Sequence, residues 1–134
     1  MEPILVDTTI WIDWFNGIDN PQTSRVAAYI IGNYPIWVPP VVVQETLQGI
    51  RDDKQYDVVR SSLLALNLFQ FDAFTTAIGA ADLYRSLRKK GVTIRKANDC
   101  LIAQYALQAD MTLLHNDSDF ELIASQLPLK ASRS

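Results

Sequence analysis

The sequence predicts an α/β fold built on a parallel sheet of four or five strands, covered by helices on both faces. Three observations carry that expectation. Short apolar, β-branched runs alternate with longer segments of helical periodicity, which implies parallel pairing through crossover connections. The first and last of these runs end abruptly in acids, at the edge where ligands bind in such sheets. The chain has 134 residues, enough for one core that buries roughly two thirds of the unfolded surface without disulfides or structural metal. Residues 1–127 are therefore expected to form a single domain.

The elements follow in order. Ile4-Leu5-Val6 is the first strand, and Asp7 cuts it short. Trp11, Ile12, Trp14 and Phe15 fall at helical spacings before Asn16-Gly17 supplies a stop, so a short helix comes next. Asn20-Pro21 reads as a cap with Pro at the first helical position, opening a helix through Val26, Tyr29, Ile30 and Ile31 to Gly32-Asn33. Ile36-Trp37-Val38 is a second strand, broken by Pro39-Pro40, which launches a helix over 41–50. A further helix over 52–65 turns Tyr56, Val59 and Leu63 inward, and Leu68-Phe69-Gln70-Phe71 is the third strand. Asp72 caps a long helix through Ala80, Leu83 and Leu87, closed by Gly91 after a basic last turn. A helix over 98–108 precedes a fourth strand, Met111-Thr112-Leu113-Leu114, and a last helix covers 120–126. The tail, 128–134, is expected to be flexible.

Composition narrows the function. Twelve Lys and Arg against fifteen Asp and Glu give a net charge of -3, so no global basic field draws the chain onto nucleic acid, and any such binding is local. The one cysteine, Cys100, cannot form an internal disulfide, which fits a reducing cytoplasm. The N-terminus has no basic flank of a secretory signal, and no window approaches the ~20 apolar residues of a membrane span. Of the three tryptophans, Trp11, Trp14 and Trp37, the first expectation is core, although aromatic residues are also enriched at interfaces.

The acids carry the chemistry. Asp7 ends the first strand and Asp117 follows the last. Glu45 shares a helix face with Val41, Val42 and Gly49 rather than with Gln44 and Gln48, and Asp99 precedes Ile102 and Ala103 by one turn. An acid on an apolar face needs a reason. For Asp7 and Asp99 helix capping is a competing account; if Asp7 is a ligand, capping passes to Thr8 or Thr9. Carboxylates converging in one pocket repel by on the order of 4 kcal/mol for each pair of charges ~4 Å apart. A bound cation removes that penalty. With one His and one Cys in the chain, oxygen ligands favour Mg2+ or Mn2+ over Zn2+, and the chemistry implied is in-line hydrolysis of a phosphodiester. Arg95 and Lys96, just before Asp99, are candidate phosphate contacts; Arg85, Arg88, Lys89 and Lys90 add charge but also suit a helix C-terminus.

Four motifs, in this order, carry a resemblance: Ile4-Leu5-Val6-Asp7-Thr8-Thr9-Ile10-Trp11-Ile12, Pro40-Val41-Val42-Val43-Gln44-Glu45, Asn98-Asp99-Cys100-Leu101-Ile102-Ala103 and Leu113-Leu114-His115-Asn116-Asp117-Ser118-Asp119-Phe120. Together they resemble the PIN-domain ribonucleases, specifically VapC-type toxins of toxin-antitoxin pairs, over nearly the whole chain. The resemblance implies a PIN fold, a Mg2+-dependent endoribonuclease acting on structured tRNA or rRNA, inhibition by a VapB-type antitoxin seated on the early helices, and a homodimer. It places Asp7, Glu45, Asp99 and Asp117 as catalytic acids and metal ligands, with Asp119 a further ligand or a cap of the final helix. Thr8 or Thr9 would orient Asp7 or a water. His115 departs from the pattern, which more often has Thr or Ser there. Two rival readings are a PIN-like module that binds RNA or protein without cutting, and a phosphoacceptor or aspartyl phosphatase, which lacks a second acid where Thr9 stands.

Overall fold

The computed structural model describes residues 1–134. Its order is β1 (Ile4–Val6), α1 (Thr8–Phe15), α2 (Pro21–Ile31), β2 (Ile36–Val38), α3 (Pro40–Gln48), α4 (Asp53–Leu64), β3 (Asn67–Leu68), α5 (Ala73–Lys89), α6 (Ala97–Ala109), β4 (Thr112–Leu114), α7 (Ser118–Gln126) and β5 (Ala131–Ser132). The five strands form one sheet in the order β3-β2-β1-β4-β5, and every pairing is parallel. Successive strand residues face opposite sides of a sheet. Ile4, Leu5 and Val6 are all buried, so both faces of β1 are covered. The expected α/β architecture is the one observed.

Strand order reverses beside β1, with β2 and β3 running to one side and β4 and β5 to the other. Such a switch point opens a crevice beyond the carboxyl ends of the strands. Asp7 follows β1 directly, and Asp117 follows β4 within three residues. The register Ile4↔Thr112, Leu5↔Leu113 and Val6↔Leu114 sets those ends side by side.

Local chemistry explains most boundaries. Asn20 accepts from Thr23 N–H at 2.8 Å while Thr23 Oγ1 accepts from Asn20 N–H at 3.0 Å, a capping box ahead of Pro21. Asp72 accepts from Thr75 N–H at 2.8 Å and starts α5.

Two expectations are corrected. The third strand is Asn67–Leu68 rather than 68–71, because its partner β2 ends at Val38 and Pro39 has no N–H with which to extend a ladder. Phe69 and Phe71 instead pack on Tyr105, at ring separations of 5.3 Å and 6.0 Å. The segment 128–134, expected to be a flexible tail, buries Leu129 and adds β5 to the edge of β4. Gln22 and Arg25 of α2 hold it, Gln22 through the Arg133 carbonyl and Arg25 through Ser132 Oγ at 3.3 Å. No helix is long and apolar enough to cross a membrane.

Candidate metal centre

Asp7 stands where β1 turns into α1. It occupies the N-cap position, yet its carboxylate makes no capping bond. Its Oδ2 accepts from Thr9 Oγ1 at 2.8 Å, and the residue is 3% exposed. Neither Thr8 nor Thr9 caps α1 in its place. Thr8 Oγ1 donates to Glu45 Oε1 at 2.8 Å, across the contact between α1 and α3. The two hydroxyls thus serve two different acids. Burial raises the Asp7 pKa to about 6, and the Glu45 charge adds to that while the Thr9 hydrogen bond opposes it.

Asp99 lies in the first turn of α6, and no side chain caps that helix. It is 5% exposed, and its Oδ2 is buried without a hydrogen-bond partner. Burial, then the charges of Asp7 and Asp117, raise its pKa to about 7, with Lys96 pulling the other way. Glu45 is half-buried, and its second oxygen accepts from Asn98 Nδ2 at 3.3 Å. Asn98 is a contact that the sequence reading missed. Its only signal is adjacency to Asp99, and the acid it reaches is decided by how α3 packs on α6.

Asp117 is the N-cap of α7, its Oδ1 accepting from Asp119 N–H at 2.9 Å. That bond assigns the cap to Asp117 and leaves the buried Asp119 facing the cluster. Ligand oxygens of Asp99, Asp117 and Asp119 all lie within 4.8 Å of one another. Arg95 reaches over them, its guanidinium 3.7 Å from both Asp117 and Asp119 and its N–H donating to Asp119 Oδ2 at 3.3 Å. Its side chain is otherwise 72% exposed, and Lys96 beside it is exposed as well.

His115 contributes no ligand. It is fully buried, packs on Phe120 at 5.4 Å, and accepts the Asp117 N–H on Nδ1 at 3.2 Å. Burial holds its pKa below the ordinary value, with Arg133 reinforcing the effect. The ring therefore shapes the loop under Asp117.

These donors fit a hard divalent cation. Every available ligand atom is a carboxylate oxygen, Asp99 Oδ2 is an acceptor with nothing to accept from, and burial first, with neighbouring carboxylates second, makes the charged forms of Asp7 and Asp99 costly. Acids of this kind cost stability unless a cation joins them.

Comparison with known proteins identifies the family to which the chain belongs. The PIN domain family matches residues 4–126. The VapC ribonuclease Mb1587 of Mycobacterium bovis and the ribonuclease VapC11 of Mycobacterium tuberculosis are each 30% identical over 132 residues, covering 96% of this chain and 97% of theirs. Among solved structures, DNA-bound VapBC from Salmonella typhimurium superposes with a TM-score of 0.75 at 17% identity, covering 98% of both chains. VapBC2 from Rickettsia felis bound to a promoter DNA fragment gives 0.73 at 21%, covering 97% of both chains. A single family match spanning both ends of the acidic cluster, together with relatives aligned over almost their whole length, shows that the chain belongs to the PIN-domain family, in its VapC ribonuclease branch.

Proposed function

We propose that the chain is a Mg2+-dependent endoribonuclease toxin of a type II toxin-antitoxin pair. The observation that carries this reading is the convergence of Asp99, Asp117 and Asp119, with one Asp99 oxygen buried and unpartnered. Asp7, Asp99, Asp117 and Asp119 would hold the cation, with Mn2+ an alternative to Mg2+. Bound there, the cation supplies the Lewis acidity that activates water and neutralises charge developing on the phosphate. Glu45 is held by Thr8 on one oxygen and Asn98 on the other, with its charge felt at Asp7. Thr9 holds Asp7 in one orientation, so a ligand is presented without the entropy cost of ordering it at each turnover. Arg95 and Lys96 stand at the mouth with their charges exposed, where a phosphodiester backbone would pass.

The substrate we infer is structured RNA in the cytoplasm, tRNA or rRNA. A VapB-type antitoxin would neutralise the enzyme, as the VapBC assemblies of the structural neighbours suggest. A homodimer is part of the reading. Phe74 and Ile78 on α5 are 80% and 61% exposed and sit one turn apart. Beside them runs a trough lined by Ala77, Ala81, Tyr84 and Leu101. Apolar knobs next to a shallow hole on the same surface suit a self-complementary contact about a two-fold axis.

The test is incubation of purified protein with total RNA in Mg2+ and again in EDTA. Discrete cuts that vanish in EDTA, and that Asp7→Asn and Asp99→Asn both abolish while remaining folded, are the expected result. Cutting that persists in EDTA would overturn the metal dependence. Inactivity of the wild type on tRNA and rRNA, with RNA binding retained, would favour a non-catalytic binding module.

A further inference from the structure

The chain after α7 returns to the sheet and passes beside the loop that carries two of the acids. His115 N–H donates to the Ser132 carbonyl at 2.9 Å, so β5 fixes the point where that loop leaves the sheet. Arg133, the next residue, then reaches back along the loop. Its Nη1 donates to Asn116 Oδ1 at 2.8 Å, and its Nε pairs with Glu121 in α7. Asn116 immediately precedes Asp117, and Glu121 stands two residues after Asp119. One guanidinium therefore ties both flanks of the two acids. Its own backbone is anchored in turn, since the Arg133 carbonyl accepts from the buried Gln22, and Arg25 donates to the Ser134 carbonyl at 2.7 Å.

Asp117 and Asp119 repel each other and Asp99, and a loop free at both ends would relieve that by spreading. A tie across both flanks resists it. Stability is not the reason for the tie, because ion pairs in water contribute little and the Arg133 and Glu121 side chains are 42% and 52% exposed. Geometry is the better reason. Groups that hydrogen-bond a metal's ligands from outside the site change its affinity by roughly 10 to 100-fold when removed, and Arg133, which acts one residue further out through Asn116 and Glu121, belongs at the low end of that range. We propose that Arg133 is a positioning residue that sets the spacing of Asp117 and Asp119, and through it the affinity of the site for a divalent cation. This inference rests on the metal-site reading above.

The experiment is Mn2+ titration of the full chain by calorimetry, with thermal melts in EDTA alongside, for wild type, Arg133→Gln, Arg133→Lys, Glu121→Gln and the double variant Arg133→Gln/Glu121→Gln. Arg133→Gln should weaken Mn2+ binding about tenfold and raise the metal concentration for half-maximal RNA cleavage by the same factor. The melting temperature in EDTA should hardly move. Arg133→Lys keeps the charge but loses the fork, so it should recover part of the affinity. Glu121→Gln should reproduce part of the loss, and the double variant should lose less than the two single losses combined. Unchanged Mn2+ affinity in folded Arg133→Gln overturns the inference alone. So does a loss that tracks a fall in melting temperature with no recovery in Arg133→Lys. Wild-type protein that binds no Mn2+ overturns the metal-site reading, and this inference with it.

Discussion

Asp99 is where the cost of the site is concentrated. It is buried, lacks a partner on one oxygen and feels two other carboxylates, so its charge is destabilising whenever no cation is present. Asp99→Asn should therefore abolish cutting yet raise the melting temperature in EDTA at about pH 8, by about 4 °C if it relieves about 1 kcal/mol; a clear fall would mean that the carboxylate stabilises the metal-free fold. The same reasoning fixes a pH dependence. Asp7 and Asp99 keep their protons up to about 6 and about 7 in the folded chain, whereas an unfolded aspartate releases its proton near 3.8. Their contribution is thus fully present below that value and is lost as the pH rises through 6 and 7. His115 acts with the opposite sign, because its lowered pKa leaves it neutral while an unfolded histidine takes a proton below about 6.5, so it removes stability on the acid side. In EDTA the melting temperature should decline from about pH 6.5 to about pH 8, and saturating Mg2+ should flatten that decline; a flat profile in EDTA would exclude the raised pKa values of these two acids. Glu45 and Asp99 are legible in the sequence because each interrupts an apolar helix face, and Asp7 and Asp117 because each follows an apolar run. Asp119 is less so, since the polar stretch from His115 to Asp119 has no periodicity that separates a ligand from a cap. Asn98 and Arg133 are not legible at all: each acts on a residue brought to it only by the packing of other elements.

Helices are more legible in the sequence than strands, for a physical reason. A helix satisfies its own backbone, so caps such as Asn20 and Asp72 and the apolar periodicity between them are local signals. A strand exists only where a partner offers a ladder. Leu68-Phe69-Gln70-Phe71 has strand composition, but Pro39 ends the partner. Ala131-Ser132 has no strand composition, and β4 and the side chains of α2 recruit it nonetheless. The exposed face of α5 is a further element-level feature. If Phe74 and Ile78 enter the neighbouring trough of a second copy, Ile78→Arg should convert a dimer to a monomer in sedimentation velocity without lowering the melting temperature by more than about 2 °C, because a side chain exposed in the monomer contributes little to its core. A wild type that sediments as a monomer at all concentrations would remove that face from the proposal.

Across the whole molecule the charge is negative, and the acidic cluster would repel RNA rather than collect it. Arg95 and Lys96, exposed beside the cluster, would then be the local correction. With cutting blocked by Asp7→Asn, replacing both with Ala should weaken RNA binding and flatten its salt dependence by about 1.4 in log-log slope, at ~0.7 per phosphate contact on a single strand. An unchanged slope would take both residues out of the RNA contact. The central pairing of the sheet has a further consequence, which concerns the order in which the chain is made. β1 carries the first acid, but its neighbour β4, which leads to Asp117 and Asp119, is synthesised on the order of a hundred residues later, so the site depends on a very long closure. A ribosome that has translated as far as α6 holds Asp7, Glu45 and Asp99 with neither of the last two acids and without the strand that aligns them. If the site works as proposed, an RNA-cutting enzyme laid out in this way would stay inert beside the ribosome that is making it until β4 and the loop after it have emerged.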